Sequence, residues 1–483
     1  MKMKKQITLF ALFILLTVTS CEKYLDIKSN NTQAPITTIG ECQELLNNMD
    51  LLNNGYPLEG ILSVEEFYLN NEQYNSDDIP TSDRHLYTWN TASLGAEWIS
   101  SYAKIYLANL VLESLEKIEQ KGIVDVQSKN NVKGQALFFR AFSFWQLAQL
   151  YTKPYNTATS AEDLGIPLRL TADINDKSVR GSLGQTYDRI LQDLTSAIQL
   201  LDPSFIVPTR PTKTAAYALL ARVYLDLEDY PKALNSATEA LNLNSELMDF
   251  NALDKNSLTP FPQYNPEVIF HAVSDGASIL NSNDFAKIDP KLMILYGPND
   301  LRKDIFFNTN MTTQIDPATG SNYMDAEGNE IYFDDGTYRF TGNYDPTAGD
   351  QNFFVGLAVD ELLLIRAECY ARSGNTVTAM DDLNTLLSSR WNTNGGITPY
   401  IAMSASSADD ALIKVIAERR KELVFRGTRW TDLRRLNKDS RFAQTLSRTV
   451  LGVTYTLPPN DPRYTLLIPQ DAINLGGIEQ NQH

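Results

Sequence analysis

The stretch that decides the fold runs from Thr212 to Leu243 and reads TKTAAYALLARVYLDLEDYPKALNSATEALNL. Its first half carries four residues at the helical spacing i, i+3, i+4 and i+7, namely Tyr217, Leu220, Ala221 and Tyr224. That spacing places all four side chains on one face of an α-helix. Pro231 follows an acidic residue and a tyrosine, which indicates a turn and the start of a second helix. We therefore predict two short antiparallel helices, the second with alanines that let the pair approach closely.

This helix pair resembles a tetratricopeptide (TPR) repeat, in which a bulky residue, a Leu-Ala pair, a tyrosine, an acidic turn and spaced alanines follow one another. One such pair cannot bury its own apolar face, so further copies are expected. The sequence ELLLIRAECYARSGNTVTAMDDLNTLL aligns with the pair when Ala367 is placed on Ala221. Gly374 then falls opposite Glu228, where a helix-ending turn favours glycine. A weaker copy surrounds Ala141.

Helical spacing also predicts helices elsewhere, at about residues 97–120, 132–151 and 186–201, and a fourth pair at 409–425 and 428–436. Three or more stacked pairs form a stable superhelical core. The predicted fold class is therefore mainly α, a TPR-like helical-repeat scaffold of about four helix pairs.

The repeats are interrupted by residues 244–354, which are rich in Asn, Asp, Pro and Gly. Within this segment, IYF (331–333) and YRF (338–340) flank DDG (334–336), which predicts a β-hairpin. An insertion of this length is usually functional or disordered, and its many aromatic residues argue against disorder. We predict a loop-rich, partly β inserted segment.

The composition suits a packed globular protein and excludes one class of partner. The chain has 483 residues, 43% of them apolar, and a net charge of −17. Nucleic-acid binding needs a basic face that neutralises phosphates. We therefore expect no nucleic-acid partner, and an acidic, solvated surface instead.

Residues 1–20 are expected to be a processing signal. Three lysines precede an apolar run from Ile7 to Thr19, which is too short to span a bilayer comfortably. The run ends in Val-Thr-Ser before Cys21, as in a bacterial lipoprotein signal, where the cysteine is lipidated. An ordinary signal peptide with an incidental Cys21 is the alternative. Residues 21–40 are polar and turn-rich, and they are predicted to form a lipidated tether, since several acyl chains anchor a protein stably.

Several short motifs carry a resemblance to a known family through their order along the chain. They are Tyr24-Leu25-Asp26 after Cys21, a helix with Trp98, Tyr102, Ile105 and Asn109, RAFSFWQLAQLY from Arg140, LLIRAECYARSGN around Arg366, ERRKELVFRGTRWTDLRRL from Glu418 to Leu436, and the final YTLLIPQDAINLGGIEQNQH. Together they are similar to the SusD/RagB family of surface lipoproteins from Bacteroidetes. The chain departs from the family at 474–477, where Asn-Leu-Gly-Gly replaces an Asn-Pro-Asn-like run.

The resemblance implies a helical, TPR-like scaffold displayed on the outer membrane. It implies a SusC-like TonB-dependent transporter as partner, whose mouth the protein caps, and a nutrient ligand, usually a glycan and in some RagB-like members a peptide. It divides the chain into an N-terminal SusD-like region at 41–243, the inserted segment and a C-terminal SusD/RagB region at 355–483. A TPR-type interaction scaffold without a small ligand and a surface hydrolase are the alternatives.

The arginine-rich stretch from Glu418 to Leu436 allows two interpretations. Its arginines invite a functional reading as a basic patch. Its acidic residues, however, are interleaved at the spacing of helical ion pairs. We therefore favour a structural ion-pair network that braces the last repeat, with Trp430 in the core.

Glycan binding needs aromatic rings for the apolar faces of sugars and polar side chains for their hydroxyl groups. Such groups work best on loops held by a rigid scaffold. The 64–95 segment has this mixture and the inserted segment adds tyrosines, which makes the candidate ligand residues Tyr74, Asp78, Arg84, Tyr87, Trp89, Tyr296 and Tyr323. The resemblance likewise implies a site built from loops before the first repeat and from the inserted segment. Plain packing is the competing interpretation for these aromatic rings, Trp89 above all.

No catalytic motif is present in the sequence. There are three histidines, and neither a G-x-S-x-G nor an H-E-x-x-H motif occurs. We therefore expect no enzymatic activity and no cofactor or metal. Asp325 to Glu330 offers oxygen ligands for Ca²⁺ but lacks a full EF-hand loop, so a turn is the better interpretation. A disulfide between Cys42 and Cys369 is left open.

Overall fold

The computed structural model describes residues 36–90, 96–203, 207–281, 285–347 and 352–483. The predicted signal at 1–20, Cys21 and most of the predicted 21–40 tether lie outside these ranges. Within the described residues the protein is mainly helical, and its strands form separate two-stranded pairs. This confirms the predicted fold class.

Short elements occupy the N-terminal part of the described chain. In order they are α1 (Ile39–Leu46), α2 (Met49–Leu52), α3 (Glu59–Leu62), β1 (Phe67–Tyr68), α4 (Asn71–Tyr74) and α5 (Thr81–Tyr87). Asn70 starts α4 by accepting the N–H of Gln73, whose side chain in turn accepts the N–H of Asn70. The 64–95 segment, expected to be a loop, therefore contains short helices in its described part, because capping side chains stabilise single helical turns.

Longer helices follow and begin the repeat array. The elements are α6 (Ala96–Lys117), α7 (Ile123–Tyr151), β2 (Leu164–Pro167), β3 (Arg180–Ser182), α8 (Leu183–Leu200), α9 (Lys213–Asp226) and α10 (Tyr230–Leu243). Arg140 on α7 donates to both carboxylate oxygens of Asp193 on α8, at 2.7 and 2.8 Å, and to Asn109 on α6 at 2.8 Å. One buried guanidinium thus joins three successive helices.

The stretch 212–243 forms the predicted helix pair, α9 and α10. Thr212 Oγ1 accepts the N–H of Ala215 at the start of α9. Asp229 caps α10, and Pro231 occupies one of its first positions, as predicted. Glu228 lies in the turn with φ +59°. The spaced alanines of α10, Ala233, Ala237 and Ala240, are fully buried.

The inserted segment consists of short elements and long connections. These elements are β4 (Val268–Phe270), β5 (Lys287–Ile288), α11 (Pro290–Met293), α12 (Arg302–Phe306), β6 (Phe307–Thr313) and β7 (Tyr332–Phe340), followed by β8 (Leu357–Ala358) at its C-terminal boundary. β8 pairs antiparallel with β4. The segment therefore closes on itself before the repeats resume.

The prediction of a β-hairpin within residues 331–340 is wrong. Residues 332–340 form one strand, β7, which runs antiparallel to β6 from Phe307↔Phe340 to Thr313↔Tyr332. The register shifts between Thr309 and Met311, where residues 335–337 bulge outward from β7. Gly336 has φ +79° there, and Asp334 and Asp335 accept N–H groups two residues further on. The Asp-Asp-Gly run has the chemistry of a turn, but the long β6 partner holds both of its flanks in a single strand.

The second half of the array repeats the first. Its elements are α13 (Val359–Arg372), α14 (Thr376–Ser388), α15 (Ala408–Glu422), α16 (Arg429–Leu436), β9 (Leu446–Val450), β10 (Val453–Leu457) and α17 (Gln470–Gly476). α13 and α14 are the predicted copy, and Gly374 has φ +83° at their turn. α13 packs directly on α10, although the inserted segment separates them in sequence. Helices occupy both positions of the predicted fourth pair, but α16 packs mainly on α3 and α9.

The arginine-rich stretch forms the predicted ion-pair network. Arg419 donates to Asp432 at 2.8 Å, and Arg435 binds Glu368 on α13 with a closest distance of 2.5 Å. Trp430 is buried in the core, as expected. A further arginine from α12, Arg302, contacts three carboxylates, those of Asp300, Glu418 and Glu422, at 2.7, 2.6 and 3.0 Å. The network connects the last repeat to the inserted segment.

Arg390 completes this network and is almost entirely buried. It binds Glu422 at 2.8 Å and Glu267 at 2.8 Å. Although burial opposes it, these carboxylates hold the pKa of Arg390 well above its ordinary value. We call Arg302, Arg390, Glu267, Glu418 and Glu422 the arginine core.

The two cysteines of the described chain are both buried and free. Cys42 lies on α1 and Cys369 on α13. Burial raises the pKa of the Cys42 thiol to about 11. The disulfide left open by the sequence is thus not formed, and both residues act as small apolar side chains.

Candidate functional site

Two segments that the sequence marked separately meet in the structure. β1 pairs antiparallel with β5, with Phe67 opposite Ile288 and Tyr68 opposite Lys287. Asp289 N donates to the carbonyl of Glu66 at 3.0 Å, and β5 packs against β7. The segment before the first repeat and the inserted segment thus share one surface. We call Tyr68, Tyr74, Asp289 and Asp335 on that surface the joint face.

Tyr68 lies at the centre of the joint face and is half-buried. Burial, followed by the carboxylates of Asp335 and Asp289, raises the pKa of its hydroxyl. Asp335 Oδ1 accepts the N–H and the hydroxyl of Thr337 at 2.8 and 2.6 Å, and Asp289 Oδ1 accepts Lys291 N at 2.7 Å. These bonds fix the orientation of both carboxylates, whose charges act on the Tyr68 hydroxyl. An aromatic ring flanked by hydrogen-bond acceptors matches the apolar face and hydroxyl rim of a sugar.

Two further tyrosines adjoin this surface, Tyr87 in the protein interior and Tyr74 partly exposed. Tyr87 is buried, and its hydroxyl accepts Leu69 N at 2.9 Å. Its ring centre lies 5.4 Å from that of Phe67 and 6.0 Å from that of Tyr74. Tyr74 itself is half-buried and offers part of its ring to solvent. Of this pair of predicted site residues, Tyr74 belongs to the joint face and Tyr87 supports it from beneath.

Trp89 is a packing residue in the structure, as the competing interpretation held. Only 4% of its surface is exposed, and its indole N–H donates to the Ser63 carbonyl at 2.8 Å. Its backbone has φ +55°, which a tightly held loop residue tolerates at some cost. The ring therefore presents no free face to a ligand.

Sequence reasoning missed Arg448, the residue that organises these rings. Its guanidinium carbon lies 3.8 Å from the ring centre of Tyr87 and 5.0 Å from that of Trp89. It also donates to the carbonyls of Leu62, Val64 and Tyr87. Burial lowers the pKa of Arg448 to about 10. The only local signal is its inward position on β9, whose residues alternate between buried and exposed.

Asp78 and Arg84 are occupied with the 76–79 turn. Arg84 donates to the carbonyls of Ser76 and Ile79, the latter at 2.8 Å. Asp78 is exposed and accepts the Ser76 hydroxyl at 3.3 Å. Both residues shape the loop that leads to α5, and Asp78 also has a carboxylate open to solvent.

Tyr296 and Tyr323 are not part of the joint face. Tyr296 is buried, donates its hydroxyl to the Lys421 carbonyl at 2.8 Å and packs against Phe307. Tyr323 is half-buried in the connection between β6 and β7, where its ring centre lies 5.8 Å from that of Phe333. Burial, with a contribution from the Glu66 carboxylate, raises the pKa of the Tyr296 hydroxyl, so Tyr296 lies near the 64–90 segment but inside the protein.

Two adjacent glutamates beneath the joint face have pKa values that are shifted in opposite directions. Glu66 is buried and accepts Phe425 N at 2.9 Å, and burial raises its pKa to about 7. Burial acts on Glu65 as well, but the guanidinium groups of Arg429 and Arg420 outweigh it and lower the pKa of Glu65 to about 2. Glu65 thereby connects the joint face to the arginine-rich stretch.

The described residues contain no cluster of three or more His, Cys, Asp or Glu side chains placed to hold a metal ion. The Asp325 carboxylate accepts the N–H groups of Glu327 and Asn329 at 3.0 and 2.8 Å, which is the predicted turn. Across the same described ranges, every helix is too short or too polar to span a lipid bilayer.

Helical repeats with a candidate site on the segments before and between them are the arrangement expected of a binding protein. Comparison with known sequences identifies the family. Residues 23–225 match the SusD-like model described as "Starch-binding associating with outer membrane", and residues 319–475 match the model of the SusD family. The chain belongs to the SusD family.

Individual relatives agree with this assignment. SusD-like protein P2 of Formosa agariphila is 26% identical over 376 residues, which cover 71% of this chain and 72% of that protein. A SusD superfamily structure from Bacteroides thetaiotaomicron has a TM-score of 0.70 at 21% identity and covers 92% of this chain and 100% of its own. A laminarin-binding SusD-like protein has a TM-score of 0.64 at 18% identity, with coverages of 92% and 99%. The structural likenesses confirm the TPR-like helical fold.

Proposed function

We propose that this protein captures a nutrient oligosaccharide at the joint face and delivers it to a SusC-like TonB-dependent transporter in the outer membrane. The observation that carries the proposal is the β1–β5 pairing, which unites the two predicted site segments in one surface with an aromatic and acidic composition. Family membership supports a glycan as the ligand, since the matching model describes starch binding.

The proposed binding mode follows from the side chains of the joint face. The half-buried ring of Tyr68 stacks on one sugar ring, and Tyr74 takes the next along the chain. The carboxylates of Asp289 and Asp335 accept sugar hydroxyl groups. Both carboxylates are already oriented by backbone N–H groups, so binding requires little ordering. The protein binds without chemical change to the ligand.

The proposed cellular arrangement places the protein outside the outer membrane, anchored by acyl chains on Cys21. The matching family model, which describes association with the outer membrane, supports this location. Labelling with radioactive palmitate tests the anchor, and Cys21→Ser is expected to abolish the label. Co-purification of a tagged form from the native host tests the partner, with a TonB-dependent transporter expected in the complex.

Calorimetric titration with malto- and laminari-oligosaccharides tests the site itself. Tyr68→Ala is expected to weaken binding about tenfold or more, as the loss of a sugar-stacking ring would. Asp335→Asn is expected to weaken it by a smaller factor, because the amide keeps one acceptor. Tyr217→Ala is the matched control, since Tyr217 is a half-buried tyrosine on the repeat helix α9.

Three outcomes would count against the proposal. Equal losses in Tyr68→Ala and Tyr217→Ala would point to general destabilisation. Binding of peptides but of no saccharide would support the alternative that the protein is a RagB-like peptide-binding member of the family. Release of shorter oligosaccharides during titration would make it a hydrolase.

A further inference from the structure

A cavity of about 390 Å³ lies in the C-terminal half of the protein, apart from the joint face. The backbone around it is fixed, because Asn392 N donates to the Asn299 carbonyl and Leu301 N donates to the Arg390 carbonyl, both at 2.9 Å. Its lining comes from residues 295–302, from 387–403 and from α15. None of the four residues of the joint face contributes to it. Its volume falls within the range typical of small-molecule sites.

Two aromatic rings form one wall of this cavity. Trp391 and Tyr400 have ring centres 5.8 Å apart at an interplanar angle of 70°. The Trp391 indole N–H donates to the Thr398 carbonyl at 3.2 Å, and the Tyr400 hydroxyl donates to Asn384 at 2.7 Å. Because their polar ends are held in this way, the rings are fixed in orientation. Trp391 is half-buried, whereas the other four tryptophans of the chain are buried.

The floor of the cavity carries charges that are already paired with one another. Lys421 Nζ lies 2.8 Å from Glu418 and 3.0 Å from Asp300. Arg302 lies 2.6 and 2.7 Å from the same two carboxylates. A charged ligand would have to break these pairs, which is unfavourable where the groups are buried. Neutral hydroxyl groups need break none, because Lys421 uses two of its three N–H donors here and each oxygen of Glu418 accepts one N–H group and has a second lone pair.

We propose that this cavity is a second saccharide site, which takes a single neutral hexose ring or the end of an oligosaccharide. The apolar face of the ring lies against Trp391 and Tyr400. Its hydroxyl groups donate to Glu418 and accept from Lys421. The substrate class rests on the proposed function, but the place, the residues and the test are independent of the joint face.

Titration of the mature protein with glucose, galactose and mannose tests this site, with tryptophan fluorescence as the readout. At least one hexose is expected to give a saturable change with a Kd of about 1–10 mM, in keeping with the small size of the ligand. Trp391→Phe is expected to remove the fluorescence change. Tyr68→Ala in the joint face is expected to leave it intact.

A second variant introduces a charge at an exposed residue of the cavity mouth and leaves the protein core undisturbed. Ile401 lines the cavity and is 80% exposed, and Ile397 on the same connection is 79% exposed and lies outside the lining. Ile401→Asp is expected to weaken hexose binding severalfold, and Ile397→Asp to leave it unchanged. Equal effects of the two variants, or no response to any of the three hexoses, would overturn the proposal.

The two sites can fail separately. If Tyr68→Ala loses oligosaccharide binding and Trp391 gives no hexose response, the proposal for the cavity is refuted and that for the joint face is supported. If the hexose response persists and Tyr68→Ala binds oligosaccharides normally, the proposal for the joint face is refuted and that for the cavity is supported.

Discussion

The arginine core and the joint face are both built where the inserted segment meets the rest of the chain, yet they have opposite character. In the arginine core, Arg302 and Arg390 sit among carboxylates with almost no exposure to solvent. In the joint face, Asp289 and Asp335 flank a tyrosine, and backbone N–H groups rather than guanidinium groups orient them. Similar acidic residues therefore brace the fold in one place, and in the other we propose that they accept hydroxyl groups of a ligand.

The bonding of the carboxylates distinguishes the scaffold from the candidate site in this protein. Charge alone does not distinguish the two regions, since both are acidic and polar. A carboxylate such as that of Asp300, whose oxygens accept two N–H groups each, has no acceptor left for a ligand, whereas each oxygen of Glu418 accepts one N–H group and can accept a second donor. The arginine-rich stretch of the sequence therefore marks the part of the molecule that holds the repeats together.

The largest expected effect comes from breaking the arginine core. Arg390→Met keeps the length of the side chain but leaves the buried carboxylate of Glu267 without its guanidinium partner and that of Glu422 with Arg302 alone. We expect a loss of about 3–5 kcal/mol in the free energy of unfolding, as is usual when one member of a buried ion pair is removed. Urea denaturation followed by circular dichroism measures this loss.

Arg441 provides the control for that variant. Its side chain is 37% exposed and pairs with Asp409 and Asp439 at the surface. Arg441→Met should cost no more than about 1 kcal/mol, because solvent screens exposed pairs. Similar losses in Arg390→Met and Arg441→Met would show that the buried network does not brace the fold.

A second prediction uses the adjacent glutamates beneath the joint face. Folded Glu66 has a pKa of about 7, so it binds its proton more tightly than an unfolded glutamate does. Its contribution to stability is complete below the ordinary pKa and is lost as the pH rises to about 7. Glu66→Gln should therefore stabilise the protein at pH 8, by about 2–3 kcal/mol at most, and change little at acidic pH.

Glu65→Gln should show the opposite dependence on pH. The pKa of Glu65 is lowered to about 2 by Arg429 and Arg420 against the effect of burial, so its contribution is present at neutral pH and is lost as the pH falls towards that value. The variant should lose about 2–3 kcal/mol at pH 7, and the loss should shrink in acid. Urea denaturation at several pH values measures both variants, and parallel curves would contradict the assignment.

How far the sequence predicts this molecule depends on the range of the contacts involved. The helix pairs were predictable, because spacing, caps and the turns at Glu228 and Gly374 are local signals. An ion-pair network within 418–436 was predictable from the interleaved charges of that stretch. The other members of the arginine core, Glu267, Arg302 and Arg390, were not, because they lie outside that stretch and only the fold brings them to it.

The candidate site was predicted only in part. The sequence singled out the two segments that meet at the joint face, but it did not show which rings point outward. Trp89 and Tyr87 face Arg448, a residue of β9 that is distant in sequence, and no local pattern reveals that contact. The wrong hairpin has a similar cause, since β6 rather than the adjacent residues pairs with β7. The roles of Tyr68, Tyr74 and Asp335 in binding remain predictions.

A smaller effect is expected at Tyr87, which links support and site. Tyr87→Phe removes the acceptor for Leu69 N but keeps the ring against Arg448 and Tyr74. An unpaired buried N–H typically costs about 1–3 kcal/mol. We expect a loss at the lower end of that range in thermal denaturation, and oligosaccharide binding weakened by a small factor because β1 shifts. A larger effect on binding than that of Tyr68→Ala would place the ligand elsewhere.

The smallest effect on stability is expected at the bulge in β7, where a substitution can separate an effect on binding from an effect on the scaffold. Gly336 has φ +79° with no atom within 4 Å of the position that a Cβ would take. Gly336→Ala therefore meets no clash and strains only the backbone, at a cost of about 1 kcal/mol. We expect this strain to turn the neighbouring Asp335 away from Tyr68. We expect the midpoint of urea unfolding to fall slightly, as in the control below, but oligosaccharide binding to weaken measurably by calorimetry. Gly320→Ala is the control, since Gly320 has φ +72° and equally open surroundings in the connection between β6 and β7. If both variants bind equally well, the carboxylate of Asp335 has no part in recognition.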